Sequence, residues 1–316
     1  MIRAVCLMGP TASGKTAVAI ALAKALPLEI VSVDSAQVYR GMDIGTAKPS
    51  PAILAETPHR LIDIRDPWEP YSAGAFCEDA ASAMREIAAA GRIPLLVGGT
   101  MLYFQALQRG MARLPPADPD LRRDLDMRAA RDGWPALHAE LQALDPETAA
   151  RLKPGDSQRI QRALEVCLLT GLSMTELHKA TQPPIAAEYL NIGIVPQDRQ
   201  ALRARIDDRL AQMLKQGFVE EVRALRQLPQ MSASVPSMRA VGYRQIWAHA
   251  AGEAGLAEAA QKAAAATRQL AKRQMTWLRS WPELAVFDGL GGTAEVPMHK
   301  LITAWLAGGA SAHISR

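Results

Sequence analysis

From its first residues the chain alternates between short, nearly unbroken apolar runs and longer stretches in which apolar residues recur every three or four positions. Ile2–Met8 is a run of the first kind. Such a strand needs cover on both faces, as in a parallel sheet wrapped by helices. Residues 29–33 and 93–97 read the same way, and 61–64 is expected to be a further short strand. Helical patterns fill the intervals at 17–25 and 72–90, the second stopping at Gly91, a residue suited to a left-handed helix end. Strand and helix in alternation predict an α/β core, a parallel sheet flanked by helices on both faces.

From about Leu114 the pattern changes. Leu114-Pro115-Pro116-Ala117-Asp118-Pro119 is a linker, with Asp118 and Pro119 placed as an N-cap and first helical residue. Helical runs follow at Trp134–Leu144 and Ser157–Thr170 without an intervening strand, and Thr181-Gln182-Pro183-Pro184 makes a second break before a strand at 190–195. The expected organisation is a core formed by 1–113 and 186–290, an all-helical subdomain inserted at 114–185, and a C-terminal extension, 291–316, with no assigned purpose.

The turn after the first strand carries the chemistry. Gly9-Pro10-Thr11-Ala12-Ser13-Gly14-Lys15-Thr16 fits G-x-x-x-x-G-K-[ST] at every fixed position, between a strand and a helix as that phosphate-cradling pattern requires. Backbone N–H groups would wrap an anion, Lys15 would bring a point charge to it, and the Thr16 hydroxyl would ligate a bridging magnesium ion. Asp34, at the end of the second strand, falls on the same sheet edge. It suits either a proton acceptor or a cap for the next helix. The strand at 93–97 ends in Gly98-Gly99-Thr100, where many phosphate-loop enzymes place a metal-binding Asp. Thr100 is there either a ligand hydroxyl or the N-cap of a tight turn.

On the helix at 199–216 an apolar stripe runs through Leu202, Ile206, Leu210, Met213 and Leu214, with Arg209 on its edge and Arg205 one turn earlier. An inward arginine needs an anion, either Asp207 or another structural carboxylate, or a ligand phosphate.

At 316 residues, 49% of them hydrophobic, the chain can bury a substantial core unaided. The net charge of +4 and pI near 9.0 matter only through clustering. Lys262, Arg268, Lys272, Arg273 and Arg279 share one stretch with Trp277 and Trp281 and no acidic residue, and Gln158, Arg159, Gln161 and Arg162 crowd the start of another helix. Both are either solvated helix faces or RNA-facing surfaces. Cys6, Cys77 and Cys167 lie too far apart for a disulfide framework, and the six histidines show no ligand spacing. With no cleavable leader and no long apolar span, a cytoplasmic protein without a membrane partner is expected.

Taken together, the phosphate loop at 9–16, Val33-Asp34-Ser35-Ala36, Gly41-Met42-Asp43-Ile44-Gly45-Thr46-Ala47-Lys48-Pro49, Leu96-Val97-Gly98-Gly99-Thr100-Met101-Leu102-Tyr103, Arg162-Ala163-Leu164-Glu165-Val166, Val241-Gly242-Tyr243-Arg244-Gln245 and the run from Thr267 to Arg279 occur in an order that resembles the bacterial tRNA dimethylallyltransferases, over nearly all of 1–290. The resemblance implies a P-loop NTPase-like core. It also implies transfer of a dimethylallyl group from dimethylallyl diphosphate to N6 of the adenosine 3′ of the anticodon, with diphosphate leaving.

In that family's terms Lys15, Thr16, Arg209 and magnesium hold the diphosphate, Asp34 takes the amine proton, and Thr100 lies near the base or the isoprenoid channel. The implied tRNA contacts are Asp34, Ser35, Ala36, Gln37, Thr100, Arg122, Gln158, Arg159, Ile160, Gln161, Arg162, Arg239, Ala240, Val241, Gly242, Tyr243, Arg244, Lys272, Arg273, Gln274, Met275, Thr276, Trp277, Leu278 and Arg279. The inserted helices would clamp the anticodon stem-loop, and the working unit would be a monomer. Competing readings are a prenyltransferase acting on free adenine nucleotides, a small-molecule phosphate-loop kinase and a non-catalytic nucleotide-binding module.

Overall fold

A computed structural model describes residues 1–112, 114–179, 181–289 and 294–308. Contacts divide the chain into two compact units, Met1–Gln108 with Pro184–Arg316, and Arg109–Pro183.

The first unit opens with β1 (Ile2–Met8), α1 (Lys15–Ala25), β2 (Leu28–Val33), α2 (Pro51–Glu56), β3 (His59–Arg60), α3 (Ala73–Ala89), β4 (Ile93–Gly98) and α4 (Met101–Arg109). The second unit contributes α5 (Pro119–Asp132), α6 (Trp134–Leu144), α7 (Pro146–Arg151), α8 (Ser157–Thr170) and α9 (Met174–Lys179). The first resumes with β5 (Ala187–Ile194), α10 (Arg199–Lys215), α11 (Phe218–Arg226), α12 (Tyr243–Ala250), α13 (Leu256–Arg279), β6 (Ala285–Phe287) and α14 (Glu295–Leu306).

The six strands form one parallel sheet in the order β3-β2-β4-β1-β5-β6. Side chains alternate across a strand, so each apolar run supplies two cores. Ala4, Cys6 and Met8 of β1 join Val31, Val33 and Leu96 against α3, α4 and the end of α13. Val5 and Leu7 join Ile30, Leu95, Val97, Ile192 and Ile194 against Val18, Ala19 and Leu22 of α1 and Met298 and Ile302 of α14. Each such aliphatic side chain contributes about 1.5–3 kcal/mol on leaving water.

The strand expected at 61–64 is displaced. The paired residues are His59 and Arg60, because Leu61 and Asp63 take left-handed φ values of 63° and 56° that no strand accommodates. Lys48 ties the bend to the neighbouring loop: its ammonium donates to the carboxylates of Asp43 and Asp63, both at 2.5 Å, and to the Tyr39 carbonyl at 2.8 Å. The segment 291–316 is not a separate extension throughout. Its helix α14 seats Met298 and Ile302, both fully buried, on α1; residues 291–293 and 309–316 lie outside the described residues.

Within the second unit, Leu125, Leu137, Leu141, Ala149, Ile160 and Leu164 form a core of their own. Beside it Glu165 is fully buried. Its carboxylate accepts from Arg122 Nε and Nη2 at 2.8 and 2.9 Å, from Arg162 Nη1 at 2.5 Å and from the Asp118 N–H at 2.8 Å. Burial alone would raise its pKa; the two guanidiniums and the amide bring it below the usual carboxylate value.

Candidate active site

The register across the three central strands sets up the site. Val33 of β2 and Met8 of β1 both pair with Gly98 of β4, so the residues that come next, Asp34, Gly9 and Gly99, emerge level at the carboxyl edge of the sheet. This edge is where parallel α/β sheets bind ligands. A cleft of about 1410 Å³ opens there, lined among others by Thr11, Ser13, Lys15, Thr16, Asp34, Thr100 and Arg209.

The phosphate loop turns through Ala12 at φ 62° and Gly14 at φ 90°, left-handed conformations that aim successive N–H groups into a concavity. Not all of 9–16 can wrap an anion, however. The N–H of Gly9 donates to the Gly98 carbonyl, that of Ser13 to the Pro10 carbonyl at 3.3 Å, and that of Thr11 to Gln274 Oε1 at 2.9 Å. The open donors are those that helix geometry leaves at the start of α1, around Lys15 and Thr16. The Ser13 hydroxyl, fully buried, has no protein partner among the described residues.

Lys15 keeps part of its residue surface accessible, but its ammonium is enclosed and donates to the Pro10 carbonyl at 3.3 Å. Burial pulls its pKa down to about 8; Asp34 opposes that shift and Arg209 adds to it. Burial likewise lowers the pKa of Arg209, against the pull of Asp34. Arg209 makes no ion pair or hydrogen bond among the described residues, and Asp207 instead pairs with Arg268 at 2.5 Å. Of the two anions its position invites, the structural one is therefore not Asp207. Arg205 lies beside the loop, with Nη2 3.6 Å from where a Cβ on Gly14 would stand.

Asp34 turns one carboxylate oxygen to its own backbone: Oδ1 accepts from the Ala36 N–H at 2.8 Å and the Gln37 N–H at 3.3 Å. Its Oδ2 has no hydrogen-bond partner among the described residues. Asp34 thus caps a turn and keeps an acceptor for the cleft. Thr100 also closes a turn, its carbonyl taking the Tyr103 N–H at 2.9 Å, while Oγ1 accepts from the Ser35 N–H at 3.2 Å.

The loop from Asp34 to Pro49 is long yet heavily tied. Glu221 of α11 accepts from the N–H groups of Asp43, Ile44 and Gly45 and from the Tyr243 hydroxyl at 2.5 Å. Gln37 accepts from Ser32 Oγ and donates to the carbonyls of Thr46 and Ala47. Neither Glu221 nor Lys48 stands out as functional in the sequence. No local signal marks Glu221, which stands 178 residues from Asp43.

The expected tRNA contacts divide by burial. Ser35, Arg239, Arg244, Lys272, Arg273, Thr276, Trp277 and Arg279 are exposed, and Arg239, Ala240, Val241, Arg273 and Trp277 also line the cleft. Tyr243, Gln274, Met275 and Leu278 have buried side chains, Tyr243 against Phe218 and Glu221, and Met275 and Leu278 in the core beneath α13, although Tyr243 and Gln274 also reach the cleft wall. Gly242 is buried too. In the second unit Gln158 and Arg159 are exposed, whereas the Ile160 side chain is fully buried. There Arg122 and Arg162 are engaged by Glu165, and Gln161 donates to Asp126 at 2.7 Å.

The sequence model of the IPP transferase family matches residues 37–281, and that of isopentenyl transferase matches residues 2–70. The tRNA dimethylallyltransferase of Thiobacillus denitrificans is 55% identical over 303 residues, covering 96% of this chain and 97% of the relative. The crystal structure of the full-length tRNA isopentenylpyrophosphate transferase of Bacillus halodurans superposes with a TM-score of 0.70 at 35% identity, over 98% of both chains. A eukaryotic dimethylallyltransferase acting on tRNA shares the fold, with a TM-score of 0.81 at 22% identity over 98% of this chain and 80% of its own. By its sequence over nearly its whole length, and by the sheet edge those residues build, the chain belongs to the IPP transferase family, that of the tRNA dimethylallyltransferases.

Proposed function

We propose that the protein transfers a dimethylallyl group from dimethylallyl diphosphate to N6 of the adenosine adjacent to the anticodon on its 3′ side in tRNA, releasing diphosphate. The observation that carries this reading is the pairing, in one cleft, of two cations without ion-pair partners among the described residues, Lys15 and Arg209, with a carboxylate that keeps one oxygen free, Asp34. An anion must meet the cations, and a proton must meet the carboxylate. A kinase would also want a metal-binding carboxylate after β4, where Gly99 and Thr100 stand.

In the step itself the N6 lone pair forms the bond to C1 of the allyl group as the C1–O bond breaks, and the electron pair leaves with diphosphate. Lys15, Arg209 and the first-turn N–H groups of α1 meet the charge that grows on the departing oxygens. The N6 proton passes to Asp34 Oδ2. Orientation matters because an exocyclic amine is a weak nucleophile, and a base extruded from the anticodon loop must be held while it reacts.

The residues suit magnesium of the kind that phosphates bring with them. No group of three or more His, Cys, Asp or Glu among the described residues could hold a metal alone, while the Thr16 hydroxyl on the cleft wall offers one hard oxygen ligand beside diphosphate oxygens and waters. When bound, that ion neutralises diphosphate charge.

The exposed Lys272, Arg273 and Trp277 on α13 supply phosphate and stacking contacts for RNA. No helix among the described residues is long and apolar enough to cross a membrane, and the proposed working form is a monomer in the cytoplasm. Incubation with magnesium, labelled dimethylallyl diphosphate and either unmodified tRNA or AMP tests the reading. Label is expected in tRNA at adenosine N6, and label in AMP alone overturns it.

A further inference from the structure

Gln274 stands in the middle of the basic, outward-facing stretch of α13, yet only 8% of it is exposed. Both ends of its amide are taken. Oε1 accepts the Thr11 N–H at 2.9 Å, and Nε2 donates to the Gly99 carbonyl at 2.9 Å. One side chain thus spans the loop after β1 and the corner after β4.

Two further observations converge on this contact. A Cβ at Gly99 would stand 2.4 Å from Gln274 Nε2, so a side chain there would push the amide out of its present position, and glycine at 99 leaves the contact room. The phosphate loop next to Thr11 is held in a left-handed conformation at Ala12, which for a residue with a side chain needs support from outside the loop. Beyond Gly99 the connection continues, since Thr100 Oγ1 holds the Ser35 N–H and Ser35 follows Asp34.

We propose that Gln274 is a positioning residue for the transfer reaction. It sets the phosphate loop against the Gly99-Thr100 corner, and thereby the cradle of the leaving group against the carboxylate that takes the proton. It acts from inside the helix whose outer face carries Lys272, Arg273 and Trp277, and it does not itself read RNA. This rests on the reading of the loop as the diphosphate cradle.

Two variants of the full chain test the role. Gln274→Glu keeps the shape and an acceptor for the Thr11 N–H but sets an oxygen against the Gly99 carbonyl; Gln274→Met fills the space and removes both bonds. Affinity for inorganic diphosphate with magnesium is read by calorimetry, KM for dimethylallyl diphosphate and kcat by label transfer, and tRNA affinity without the allyl substrate. A buried hydrogen bond broken with its partner orphaned predicts roughly tenfold or greater weakening of diphosphate binding in both variants, with a matching rise in KM. Affinity for tRNA stays within about twofold of the parent.

Unchanged diphosphate affinity in either variant that melts cooperatively overturns the proposal, as does loss of tRNA affinity with diphosphate binding intact. Should Gln274→Met not fold, the isosteric Gln274→Glu decides. A parent protein that binds diphosphate but labels no tRNA refutes the functional reading, and the calorimetric comparison still decides this one.

Discussion

The two units of the chain treat charge in opposite ways. Around Glu165 in the inserted unit, one buried carboxylate receives two arginines and a backbone amide, so donors and acceptor match. At the sheet edge of the core, Lys15 and Arg209 are enclosed without an ion pair among the described residues, and Asp34 leaves an oxygen without a partner there. The first arrangement closes on itself and holds structure. The second is incomplete although it too holds two cations and one carboxylate, and a cluster of part-buried charge not closed by hydrogen bonds is what a site that stabilises a leaving anion requires.

The contrast is sharpest at Asp34. Asp34→Ala removes the proton acceptor, together with the cap on the Ala36 and Gln37 N–H groups, while leaving the exposed face of α13 in place. Turnover is expected to fall about 10²–10⁴-fold with tRNA affinity kept, by single-turnover kinetics beside a filter-binding titration. Loss of binding with chemistry preserved contradicts its assigned role.

Next comes a pair of substitutions with opposite signs. Arg209→Met removes an enclosed cation that has no partner among the described residues, so melting temperature should hold or rise while kcat/KM drops about 10²-fold. Glu165→Gln removes the negative charge and one of the two acceptor oxygens that face Arg122 and Arg162 and should destabilise the inserted unit by about 2 kcal/mol, short of the ~3–5 of a fully buried pair because both arginines are partly in water. Thermal unfolding of both variants checks the pair, and equal destabilisation would erase the distinction between the regions.

The smallest effect is one of pH. With its pKa near 8 in the free protein, Lys15 is charged at pH 7 and mostly neutral at pH 9. A bound anion favours the charged form, so diphosphate affinity should decline severalfold as pH rises above about 8, and Lys15→Met should flatten that decline. Calorimetric titrations across pH 6.5–9.5 measure it.

What the sequence showed most clearly was local. β1, the phosphate loop and α1 lie in succession within 25 residues, and the end of β2 placed Asp34 because parallel strands with short connections share an edge. What it hid was distant or periodic. Glu221 meets Asp43 across 178 residues of sequence, and Lys48 ties the bend at 61–64 to the neighbouring loop through Asp63. The run from Lys272 to Arg279 looks uniform as a motif, but a helix splits it: Gln274, Met275 and Leu278 turn inward, while Lys272, Arg273, Thr276, Trp277 and Arg279 turn outward. Tyr243 and Ile160 are likewise inward positions within a polar motif.

The place of β1 in the sheet bears on how the chain matures. It is made before both of its sheet neighbours, β4 and β5, and Arg3 within it donates to the carbonyl of Leu306 in α14. On a ribosome adding about 5–20 residues per second, this apolar strand waits roughly 10–40 s for β5 to emerge, with both edges open until β4 arrives and one edge open afterwards. The inserted helices, closed on their own core, have no such wait. During synthesis, then, the phosphate-loop strand keeps an unpaired edge until well over half of the described chain has been made, and the cradle it carries settles late.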